Sequence, residues 1–107
     1  MEGRVTQTQF YLDTYLLTGA AKLTLADSTK VHPVRQWTWT ALTYSGGQMK
    51  HYVNGVEDAS GSVTIPPVGA GKVSFGVRQN LVNYLSGCIR ELRVSPTALT
   101  AEQLQKP

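Results

Sequence analysis

The sequence predicts an all-β domain, an antiparallel β-sandwich of jelly-roll type with a short C-terminal helical turn. Three observations predict it. Seven or eight short runs rich in Val, Thr, Tyr and Leu are separated by clusters of Gly, Pro, Asn and Ser. Two turn signals, "SGG" at 45–47 and Asn54-Gly55, join neighbouring runs as hairpins. The only helical signal is "SPTALTAEQLQ" near the end. With 107 residues, 41% of them apolar and 16% charged, the chain has the length and composition of one small globular domain. A domain of this size buries only about 60–65% of its unfolded surface, so its core is limited.

The elements follow in order. "QFYLDTYLL" (9–17) is apolar and aromatic and reads as a strand, and "KLTLA" (22–26) alternates as a second. "DSTKVHPVRQ" connects them to "WTWTALTY" (37–44), a strand rich in Trp, Thr and Tyr. "QMKHYV" (48–53) returns from the "SGG" turn, and Asn54-Gly55 starts "VEDASGSV", which makes a β-meander. "TIPPVGAG" (64–71) is a loop, because Pro66 and Pro67 donate no ladder hydrogen bonds. "KVSFGV" (72–77) and "GCIRELRVS" (87–95) read as strands on either side of the polar loop "RQNLVNYLS" (78–86). Thr100 and Gln103 have the spacing of a capping box and predict one helical turn. No internal repeat or domain boundary is visible.

Composition narrows the function classes. The net charge is +3, but the ten basic residues are scattered, so nucleic-acid binding is not expected. The single cysteine, Cys88, has no disulfide partner, and one Cys with two His cannot build an ordinary zinc site. Cys88 is read as a small buried side chain in a strand. No run of about 18 apolar residues codes a membrane span. "MEGRVTQTQF" has no apolar stretch of signal-peptide length, so the chain as written is expected to stay where it is made.

The segment "QWTWTALTYSGGQMKHYVNGVEDASGSV", followed about thirty residues later by "GCIRELRVSPTALTAEQLQ", carries a family resemblance. It resembles the laminin-G-like, concanavalin A-like lectin and glucanase jelly rolls over roughly residues 10–105. In that superfamily a Trp opens the strand, a "TYDG"-like turn follows, and a "YVNG"-like strand ends in the Asn-Gly turn. Three departures stand out. The strands that precede "FYL" in the family are missing, so the chain reads as a single partial domain over 1–107. Ser45 and Arg90 replace family aspartates. Trp39 replaces a family His, and His51 stands at an apolar position. A shortened sandwich exposes edges and an apolar face, which predicts a homodimer or higher oligomer; the alternative is a monomer that closes with fewer strands.

The resemblance raises three chemistries. Glycosidases of the superfamily need two facing carboxylates about 5–10 Å apart. The glucanase pattern Glu-x-Asp-x-x-Glu is absent, and Glu57 and Asp58 are adjacent, so they point to opposite faces. Glu91 reads as a surface ion-pair partner of its arginine neighbours. No enzyme activity is expected. Calcium is used by many relatives, but the lost aspartates remove plausible ligands, so no metal and no cofactor are expected. Glycan binding needs flat aromatics and amide or guanidinium donors on a rigid scaffold. Trp39, Arg78, Gln79, Asn80, Asn83 and Tyr84 supply these groups, and His51 is added as a contact from the Met49 and Val53 face. Trp37 is read as core. Trp39 stays open between the site, a dimer interface and the core. His32, before Pro33, is read as solvent-exposed. The resulting expectation is a non-catalytic glycan-binding module with its site at the 78–84 loop. The alternative is a self-assembling or protein-interaction module without a sugar site.

Overall fold

The structure, a computed structural model, describes residues 1–104. Gln105, the last residue of the expected helical run, lies outside the described residues. Seven strands are present among them: β1 (Glu2–Thr6), β2 (Gln9–Thr18), β3 (Ala21–Ala26), β4 (His32–Pro33), β5 (Thr40–Ser45), β6 (Gln48–Val53) and β7 (Val56–Ser62). They form two antiparallel sheets. In the first, β2 is central between β1 and β3, and the short β4 pairs with its beginning. The second is the meander β5-β6-β7.

Tight turns make the hairpins. Gly46 and Gly47 have φ of 56° and 77°, and Asn54 and Gly55 have φ of 49° and 80°. Two consecutive positive φ values give the turn whose twist matches that of a hairpin. The Asn54 side chain also accepts the Trp39 N–H at 3.0 Å, which ties the turn to the start of the meander.

Alternation puts one face of each sheet inside. Leu12 and Thr14 of β2, Leu25 of β3, and Met49, His51 and Val53 of β6 are buried. Leu25, Met49 and Val63 form the centre of the core, with Leu16, Leu23, Tyr44, Ala59 and Ile65 packed around them. Gly61 lets β7 approach β3: a Cβ there would lie 2.9 Å from Leu23 Cδ1. A β-bulge interrupts the β6-β7 ladder between His51 and Tyr52, with His51 opposite Ala59 and Tyr52 opposite Glu57. Asp58 is the extra residue, and a bulge re-aims the side chain it carries.

Several expectations are corrected. A strand does precede "FYL": β1 pairs with β2 from Glu2↔Asp13 to Thr6↔Gln9. The Trp-rich strand begins at Thr40, and Trp37 is 65% exposed rather than core. The segments 72–77 and 87–95 form no ladder. The first is interrupted at Gly76, whose φ of 76° breaks the extended run. Without it the second has no sequence neighbour to pair with. Cys88 is accordingly exposed. His32 is a half-buried residue of β4, not a loop residue. The capping box forms as expected. The Thr100 N–H donates to Gln103 Oε1 at 2.8 Å, and the Gln103 N–H donates to Thr100 Oγ1 at 3.4 Å, at the start of the 3-10 turn Glu102–Leu104.

Candidate functional site

The outer face of the first sheet carries a cleft of about 450 Å³. It is lined by Glu2 and Arg4 of β1, Asp13 and Tyr15 of β2, Thr24 of β3, and Arg78 from the long C-terminal segment, with Met1 at its margin. Strand register builds it. Asp13 stands opposite Glu2, and Tyr15 stands opposite Thr24, so these side chains share one face.

Ion pairs orient the cleft. The Arg78 guanidinium donates to both carboxylate oxygens of Glu2, from Nε at 2.5 Å and from Nη2 at 2.6 Å. This two-pronged geometry matches fork to carboxylate and fixes both partners. Arg4 Nε donates to Asp13 Oδ2 at 2.7 Å. The Arg78 hydrogen bonds hold the Glu2 carboxyl below its ordinary pKa of 4.5. Hydrogen bonding to Asp13 holds Arg4 above its usual value, and hydrogen bonding to Glu2 does the same for Arg78. The Tyr15 ring is 60% exposed, with Lys22 Nζ 6.0 Å from its centroid. An apolar ring thus lies open to solvent beside guanidinium and carboxylate groups held in fixed positions.

The residues expected from the sequence are spread over four places. Arg78 lines the cleft. Its carbonyl accepts the Leu81 N–H at 2.8 Å, and its N–H donates to the Val82 carbonyl at 3.2 Å, which closes a tight turn. Leu81 and Asn83 hold that turn with φ of 61° and 55°. Gln79 Nε2 donates to the Lys72 carbonyl at 3.1 Å and so serves the segment's own backbone. Asn80, Asn83 and Tyr84 are exposed along the loop. Trp39 is half-buried, with the Arg93 guanidinium carbon 5.3 Å from its ring centroid. His51 lies fully inside the sandwich, hydrogen-bonded to Thr14 at 2.7 Å, where only a ligand entering the core could touch it.

Glu2, Arg4, Asp13 and Tyr15 escaped the sequence reading. The signal for them is present: Glu2 and Arg4 alternate on one side of Gln7-Thr8, and Tyr11, Asp13 and Tyr15 alternate on the other. Reading Gln7-Thr8 as a two-residue turn would have brought them together. The adjacent acids behave as their parity requires. Glu57 pairs outward with Lys50 at 3.0 Å, and Asp58 pairs inward with His32 at 2.5 Å. Glu91 pairs with Arg93. Among the described residues no group of three or more His, Cys, Asp or Glu side chains converges as metal ligands would.

Two antiparallel sheets around one core define a β-sandwich. Residues 3–105 match the laminin G type family of the Concanavalin A-like lectin/glucanases superfamily, and the chain belongs to that family. Domains of this family often bind carbohydrates or proteins and are generally non-catalytic. The chain is similar in fold to a crystal structure of an S-layer domain-containing protein (residues 221–444) from Clostridium thermocellum ATCC 27405, with a TM-score of 0.54 and 18% identity. That alignment covers 91% of this chain and 50% of the other, so this chain spans half the length of the structure it matches. No curated protein matches the sequence.

Proposed function

We propose that the protein is a non-catalytic glycan-binding module whose site is the Tyr15 cleft on the outer face of the first sheet. The observation that carries this reading is the exposed Tyr15 ring set beside two arginine–carboxylate pairs. A sugar ring presents C–H groups on its faces and hydroxyls around its rim. Tyr15 offers a face for the first, and Arg4, Asp13, Arg78 and Glu2 offer donors and acceptors for the second. Their ion pairs hold these groups in place before a ligand arrives, which lowers the ordering cost of binding. The loop 79–84 follows Arg78 directly, but its exposed Asn80, Asn83 and Tyr84 do not line the cleft.

The non-catalytic part rests on the state of the carboxylates. Glu2 and Asp13 are cross-strand neighbours on one face of the sheet, the first requirement for a carboxylate pair. A glycosidase needs one member protonated at working pH, with a raised pKa. Arg78 pulls Glu2 the other way, and Asp13 is bound to Arg4. A carboxylate held ionised in this way, as Glu2 is, accepts hydroxyl hydrogens well and supplies no proton. A glycan array probed with the full chain and with Tyr15→Ala tests the proposal. Binding by the native chain that falls at least tenfold in the variant supports it. Equal binding by both, or none by the native chain, sinks it.

A second reading, self-association as a homodimer, is favoured by a different observation. Val68, Val73 and Val94 are 90%, 77% and 86% exposed on a segment whose strand-like runs make no ladder. A second copy of the chain would cover these residues. Light scattering after size exclusion decides: a dimer that Val94→Asp dissociates supports this reading, and a monomer at micromolar concentration excludes it.

A further inference from the structure

Both histidines lie where the two sheets meet, and each joins one sheet to the other. His51 of β6 is hydrogen-bonded through Nε2 to Thr14 Oγ1 of β2 at 2.7 Å. His32 of β4 is hydrogen-bonded through Nε2 to Asp58 Oδ2 of β7 at 2.5 Å, and it is the β6-β7 bulge that leaves Asp58 free to reach across. The His32 ring also packs on Phe10, with centroids 5.5 Å apart. The two links differ in what they can tolerate. Asp58 gives His32 an anionic partner, so a proton on His32 makes an ion pair. His51 has no exposed surface, and its Nδ1 is buried without a hydrogen-bond partner.

We propose that this junction is an acid-sensitive latch: protonation of His51 releases the β2–β6 link between the sheets, while the His32–Asp58 link holds the other end. An imidazolium carries two N–H donors. Thr14 can take one. The other, at Nδ1, would be an unpaired donor on a buried cation, which is costly in a dry interior.

The surroundings do not rescue the charge. From its own strand the nearest inward neighbours are Met49 and Val53; Leu42 of β5 and Ala59 of β7 stand opposite. Asp58 and Asp13 favour the charged ring, and the amino group of Met1 opposes it. Burial, acting with the Met1 amino group, outweighs the two aspartates and holds His51 below its ordinary value of 6.5. The sign follows. Above that value the folded and unfolded chains both hold a neutral ring. Below it the unfolded chain binds a proton that the folded chain refuses, so stability falls as pH drops towards the folded value and levels off beneath it.

Urea unfolding of the full chain from about pH 7.5 to about pH 5.5 tests the latch. The unfolding equilibrium constant is expected to rise by up to about tenfold per pH unit below the ordinary histidine value. His51→Gln should flatten that rise. A His51→Gln variant with the native slope would overturn the proposal. A proton NMR titration of the native chain gives an independent reading if that variant does not fold. A His51 ring that titrates well below ordinary histidine supports the latch, and one that titrates normally refutes it.

Discussion

Residues 2–63 and residues 64–100 carry similar strand-forming patterns and meet different fates. The first stretch is laddered apart from its turns and the 27–39 connection, where only His32–Pro33 pairs, and the second contains no strand. The difference lies in the turns. Gln7-Thr8, Gly19-Ala20, Gly46-Gly47 and Asn54-Gly55 each return the chain at once to an adjacent run. Closing so short a loop costs little entropy, and each hairpin gains its partner locally. In 64–100 the strand-like runs are separated by nine residues, and one is broken at Gly76. Alternation alone therefore does not make a strand; a run needs a nearby partner. The laddered stretch supplies the rigid face and Tyr15, and the unladdered stretch contributes Arg78 to that face.

The comparison can be broken most sharply in the cores. Leu25 is only 5% exposed at the centre of the sandwich, whereas Val94 is 86% exposed. Leu25→Ala should lower stability by about 2–5 kcal/mol. Val94→Ala should change it by about 0.5 kcal/mol or less. Urea unfolding of both variants measures the gap, and equal losses would place Val94 in a packed core.

Glycines give a second, smaller contrast. A Cβ at Gly61 would meet Leu23 Cδ1 at 2.9 Å, while one at Gly69 would meet nothing within 4 Å. Gly61→Ala should cost about 1–3 kcal/mol by pressing β7 away from β3. Gly69→Ala should be neutral or slightly stabilising, since it removes freedom from the unfolded chain without a clash. Thermal melts of the two variants that moved together would contradict the inter-sheet contact at Gly61.

The weakest effect joins the two stretches. The Glu2–Arg78 pair holds Glu2 below its ordinary pKa of 4.5. Its contribution is therefore present above that value and is lost as pH falls through the lower folded value. Both side chains are more than a third exposed, so water and salt screen the pair and leave it a small contribution. Glu2→Gln should narrow the stability difference between neutral and acid pH by that small amount, and added salt should erase the effect.

Much of the fold was legible because its signals are local. The Asn54-Gly55 turn, the meander around it, the Pro66-Pro67 loop and the Thr100 cap each depend on a few neighbouring residues. The inward side of β6 followed from parity, which placed His51 with Met49 and Val53. What was not legible depends on distant pairing. β1 has a weak pattern, with Gly3 and two charged residues among five, and is a strand because β2 lies beside it. The cleft follows from that pairing, so Glu2, Arg4 and Tyr15 were missed along with it. Arg78 was chosen for its loop, and the loop's other donors lie along its exposed surface rather than converging with it in the cleft. The family pattern puts Trp37 in the core, but the strand that would bury it starts three residues later, at Thr40.

The most direct test of the binding account is a two-dimensional NMR titration of the full chain with a panel of soluble oligosaccharides, reading backbone amide shifts. Shifts concentrated at Glu2, Arg4, Asp13, Tyr15, Thr24 and Arg78 are the predicted result. No shift with any sugar, or shifts confined to the β5-β6-β7 sheet, would contradict it.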